Sequence, residues 1–167
     1  MPIITITVHD AAVRAALKKL AESGKNMKPV LQQIGNNLCE STSRRFFTGT
    51  DPDGKDWTPL HPKSGLTRKP LLNTGSLRRS ISSKVYGNTL VVGTNHLAGK
   101  IPGGVAIHQF GGIIRPKRGK FLKFGSKDKP IFAKKVTIPA RPFLGLSSTD
   151  REMILHEIEG YLLSLPR

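Results

Sequence analysis

The chain has 167 residues, enough for one domain that folds without disulfide or metal staples, and it carries 27 Lys+Arg against 11 Asp+Glu, a formal charge of +16. A surplus of that size points to a polyanionic neighbour, either nucleic acid or an acidic protein surface. The single cysteine, Cys39, excludes an intramolecular disulfide; with no run of ~20 apolar residues and no signal-peptide core over residues 1–20, the expectation is a chain made in a reducing cytoplasm, with no membrane partner.

In chain order, Ile4, Ile6 and Val8 alternate with threonines and predict a short half-buried strand. Asp10 is placed to cap a helix with Val13, Leu17 and Leu20 on one face, ended by Gly24. A longer helix is predicted over 27–47, with Val30, Ile34 and Leu38 as its stripe and Pro29 in the first turn. Gly35 weakens that helix and allows another segment close, while Arg44 and Arg45 suit its C-terminal dipole. Asp51-Pro52-Asp53-Gly54 is turn chemistry, and Trp57 is expected to anchor the loop to the core. A short helix capped by Thr74 follows, with Leu77 and Ile81 on one face, then a hairpin turning at Gly87-Asn88. The stretch "VAIHQFGGII" (105–114) predicts a short apolar element ended by Gly111-Gly112.

Residues 113–138 predict a second hairpin with a long basic tip. Arg115, Lys117, Arg118, Lys120 and Lys123 lead a run of cations opposed only by Asp128, and Phe121, Phe124 and Phe132 interleave with them. That mixture suits phosphate binding and base stacking, and it also suits an amphipathic strand packed on a neighbour. The last helix is signalled by a capping box of Thr149 and Glu152 and by a stripe of Ile154, Ile158, Tyr161, Leu162 and Leu165. The expected fold is α+β and one domain over 1–167. A mainly antiparallel sheet carries the long N-terminal helix and the C-terminal helix on one face, and a basic hairpin arm spans about 113–138.

Catalytic chemistry is not signalled. The five histidines are scattered without zinc-ligand spacing, and His108 in its apolar element is expected to be a core histidine. Asp51, Asp53 and Asp56 fail the EF-hand pattern, because glycine falls at the fourth position and no glutamate at the twelfth. No phosphate-loop, dinucleotide or nucleophile-elbow motif is present, so no cofactor is expected.

The stretch Pro139-Ala140-Arg141-Pro142-Phe143-Leu144 is too apolar for a free loop and too proline-rich for the middle of a sheet. Two prolines fix φ near −65° and bias the residues before them to extended geometry. Arg141 is thereby held in one direction, where its planar fork can clamp a carboxylate or backbone carbonyls, within the chain or across an interface.

Four blocks, "RRFFTGTDPDGKDWTPL" (44–60), "LLNTGSLRRSI" (71–81), "IHQFGG" (107–112) and "VTIPARPFLGLSSTDREMI" (136–154), resemble in that order the phage virion morphogenesis family, whose members include tail-completion proteins. The resemblance spans about residues 30–165. It implies a non-enzymatic structural protein of the virion, a subunit of a homo-oligomeric ring, six-fold, at the head–tail junction, with neck, connector and tail proteins as neighbours and assembly in the host cytoplasm. Under it, Arg141, Phe143, Leu144, Phe121, Phe124 and Phe132 are expected at a subunit interface. Arg115, Lys117, Arg118, Lys120 and Lys123 are expected to face packaged DNA or an acidic partner. The competing reading is a nucleic-acid-binding module built on the basic hairpin.

Overall fold

The computed structural model describes residues 10–22, 26–61, 67–96, 104–117, 119–125 and 130–164. The strand expected at 4–8 and the helix stop at Gly24 lie outside these residues. The rest is α+β: helices α1 (Ala11–Glu22), α2 (Lys28–Thr48), α3 (Ser76–Arg79), α4 (Ala106–Phe110) and α5 (Ser148–Ser164), with strands β1 (Ile81–Tyr86), β2 (Thr89–Thr94), β3 (Gly112–Ile114), β4 (Leu122–Gly125), β5 (Pro130–Ala133) and β6 (Val136–Ile138). Every pairing is antiparallel, but the strands form three separate two-stranded ladders, β1–β2, β3–β6 and β4–β5. Strands of three to six residues leave each ladder local, and the core is organised by α2.

Helix α2 is enclosed on two sides. Val30, Leu31, Ile34 and Leu38 are buried together with Val13 and Leu20 of α1 and Ile154 and Ile158 of α5, and Val85, Leu90 and Val92 of the first hairpin pack onto the same cluster. The hairpin thus lies on α2, while α5 packs mainly on α1 and α2. Gly35 sets the closeness of the hairpin: a Cβ there would stand 2.7 Å from Ser83 Oγ and 2.9 Å from Leu90 Cδ1. Gly87-Asn88 is the two-residue turn that fixes the register, with Tyr86 opposite Thr89.

Asp10 joins two helices. One carboxylate oxygen accepts from the Val13 amide at 3.0 Å as the α1 cap, and the other meets Arg151 Nε of α5 at 3.1 Å. The cap of α5 is displaced from the expected one. Ser147 and Asp150 form the reciprocal box, with the Asp150 amide donating to Ser147 Oγ at 3.1 Å and the Ser147 amide to Asp150 Oδ2 at 2.9 Å. At the other end of the molecule, Phe46, Trp57, Leu77, Val105, Phe143 and Leu144 form a second core beneath the 50–60 loop.

Candidate functional site

Residues 139–147 form a strap leading from β6 to α5, crossing the second core without belonging to a helix or a strand. A buried backbone outside regular structure must find partners elsewhere for its amides and carbonyls. Side chains from α2, the 50–60 loop and α4 supply them. Trp57 Nε1 donates to the Pro142 carbonyl at 2.9 Å. Arg45 Nη1 donates to the carbonyls of Phe143 at 3.0 Å and Gly145 at 2.9 Å. Gln109 does most: its Nε2 donates to the Leu144 carbonyl at 2.9 Å, while its Oε1 accepts from the Phe143 and Leu144 amides at 3.0 and 3.1 Å. The buried glutamine amide stands in for a peptide group of an adjacent strand.

The arginines hold the ends. Arg45 also pairs with Asp150, the acid of the α5 cap, and both are buried. Burial pulls the Arg45 guanidinium below its ordinary pKa, and Asp150 opposes that shift. Arg141 turns back across the strap, donating through Nε to the Thr58 carbonyl at 2.7 Å and through Nη2 to the Pro59 carbonyl at 3.0 Å. Its own amide donates to the His108 carbonyl at 2.7 Å. Of the two roles open to this side chain, the structure shows the intrachain clamp on backbone carbonyls. Burial lowers its pKa, and burial with the nearby Arg141 charge lowers that of His108, whose Nδ1 is enclosed without a hydrogen-bond partner among the described residues.

The glycine of the 107–112 block has a steric reason. Gly111 has φ 73°, and a Cβ there would come within 2.8 Å of the Ala140 nitrogen, so only glycine lets α4 meet the strap. Phe143 is fully enclosed, 5.5 Å from the Phe46 ring centroid, and Phe46 meets Trp57 edge-on at 5.6 Å.

The expected interface residues therefore divide. Arg141, Phe143 and Leu144 lie inside the subunit. Phe121 and Phe132 stand on the arm, 49% and 59% exposed; Phe124 belongs to β4, its side chain lying outside the described set. Arg115, Lys117, Lys120 and Lys123 are exposed along the same arm, and Arg118 lies outside the described residues. Arg45, Asp150 and Gln109 are the positions that sequence reasoning missed. Arg45 reads locally as half of a tandem at a helix end, yet Arg44 is an exposed partner of Glu40 at 2.8 Å.

The remaining grooves are chemically quiet. One of about 470 Å³ runs between α2, the 50–54 loop and the start of α5. Its carboxylates are engaged: Glu40 by Arg44, Asp51 by the amides of Asp53 and Lys55 at 2.9 Å each, and Asp150 by Arg45. Among the described residues no cluster of His, Cys, Asp and Glu could hold a metal ion, and no helix is long and apolar enough to cross a membrane.

Comparison with known proteins points the same way as the four blocks. The model of the phage virion morphogenesis family matches residues 8–163. The chain is 32% identical over 159 residues to the Mu-like prophage FluMu G protein 2 of Haemophilus influenzae, covering 95% of each. It is 27% identical over 147 residues to tail completion protein S of Escherichia phage P2, covering 87% of this chain and 89% of that one. No solved structure matches. The matched span takes in the strap and its anchors from α2, the Trp57 loop and α4, and the chain belongs to the phage virion morphogenesis family.

Proposed function

We propose that this chain completes the phage tail as a structural, non-enzymatic subunit of a closed homo-oligomeric ring, six-fold, at the head–tail junction of the virion. The observation that carries the reading is its similarity along most of its length to a protein named for tail completion. The architecture supports it. A rigid body is closed by the strap, and an exposed arm with uncovered aromatic residues extends from that body by the β3–β6 ladder. The partners are other copies of the chain, neck or connector proteins and tail proteins, met first in the host cytoplasm. No cofactor is required. Removing the gene is expected to leave tailless heads beside free tails, and mass measurement on purified particles is expected to find the protein as a multimer. Normal particles without it, or a monomer within them, would refute the reading.

The exposed cations of the arm, with Lys123 Nζ 5.9 Å from the Phe132 ring centroid, favour a second reading as a DNA-binding module. It predicts retention on DNA that falls steeply with salt. Absence of retention at low salt excludes it.

A further inference from the structure

We propose that the β4–β5 arm of one copy docks on the outer stripe of α5 of the next copy. This rests on the ring reading above and names the two surfaces that meet. The arm is a two-stranded ribbon, and a lone ribbon is marginally stable in water. Phe121, Ile131 and Phe132 are 49%, 43% and 59% exposed on it, and Lys123 stands opposite Phe132 in the ladder. Its occupant must therefore offer both apolar surface and carboxylates.

Among the described residues, the outer face of α5 has that composition. Helix α5 buries Ile154 and Ile158, so its opposite face presents Glu152, His156, Glu159 and Leu163, at i, i+4, i+7 and i+11. All four are exposed, and Leu163, at 87%, is a large apolar residue left to solvent one turn beyond Glu159. Gly160 flanks the stripe. It weakens a helix interior, and a Cβ there would meet nothing within 4 Å among the described residues; its bareness leaves room for an incoming backbone.

Two other exposed surfaces fit the arm less well. The apolar cleft at the foot of the arm exposes Phe110 and Ile113, but Arg115 and Lys117 rim it and would repel a cationic ribbon. The 51–56 loop is acidic, yet Asp51 is held by its own turn, and no large apolar residue is exposed there. Arm and α5 are different patches, and a ring closes by such heterologous contacts.

The test is charge reversal in the full chain. Lys123→Glu and the pair Glu152→Lys with Glu159→Lys are each expected to weaken self-association by about tenfold or more, and their combination to restore most of it. Sedimentation reads the association and melting checks the fold. In a Cys39→Ser background, Phe132→Cys with Leu163→Cys is expected to yield intermolecular disulfides in assembled particles. Oligomeric wild type with reversals that do not rescue one another would overturn the docking and leave the ring reading standing. Particles containing only monomer would overturn both. Lys123→Glu that loses DNA retention while self-association is unchanged would also overturn the docking, assigning the arm to nucleic acid.

Discussion

Adjacent arginines in α2 illustrate how environment sets the worth of an identical side chain. Arg44 and Glu40 form an ion pair in water, each 71% exposed, whereas Arg45 and Asp150 are 7% and 5% exposed. Screening leaves the first pair with little net effect. Removing one member of the second strands a buried charge, at a cost of about 3–5 kcal/mol. Asp150→Asn is therefore expected to lower the unfolding free energy by several kcal/mol and Glu40→Gln by about 0.5 kcal/mol or less, measured by urea denaturation. His108 gives the pH dependence at this scale. Its folded pKa lies below the ordinary 6.5. As pH falls below that value the unfolded chain binds a proton that the folded chain refuses, so stability declines until the folded pKa is passed. The fall in melting temperature from pH 7.5 to pH 5.5 is expected to be smaller in His108→Leu than in the parent chain, whose other histidines are common to both. An equal fall would show that the imidazole is not held neutral by its surroundings.

At the level of elements, Gly35 sets two effects against each other. Alanine there would favour the helix by about 1 kcal/mol. Its Cβ would also stand 2.8 Å from Ser83 Cβ, which is no flexible side-chain end and cannot move without the β1 backbone. Overpacking of this kind costs about 1–3 kcal/mol, so Gly35→Ala is expected to be destabilising, and Gly35→Ala with Ser83→Gly to regain part of the loss in the same urea assay. The elements themselves were largely legible: α2, α5 and the β1–β2 hairpin follow from apolar spacing and a two-residue turn, and even the Gly35 contact was anticipated. The α5 cap was not. Thr149 with Glu152 and Ser147 with Asp150 both satisfy the local pattern. The choice is made by Arg45, 105 residues away in sequence, which no local signal reports. Gln109 was hidden for the same reason, since its partners are backbone groups more than 30 residues distant. Arg141 was expected to grip carbonyls or a carboxylate and does hold those of Thr58 and Pro59, but whether a fork grips its own chain or a neighbour is decided by the second core beneath it.

For the whole molecule, the body and the arm are separable in a way that can be tested. Among the described residues, both buried clusters are built without any between Ile114 and Val136, and these two residues face each other in the β3–β6 ladder. Replacing residues 115–135 by Asn-Gly would close that ladder with the two-residue turn that antiparallel strands favour. The excision also removes half of the chain's cationic surplus, including Arg115, Lys117, Lys120 and Lys123, which relieves self-repulsion in the compact state. The shortened chain is therefore expected to melt within a few degrees of the parent, because the packing that fixes the strap is untouched. Complementation in a phage lacking the gene is expected to fail, because the aromatic and cationic surface proposed to meet a partner is gone. A shortened chain that restores particle yield would place the assembly surface on the body. A shortened chain that no longer folds would mean that the arm, through β3 and β6, holds the strap in place. Melting and complementation measured together separate these outcomes.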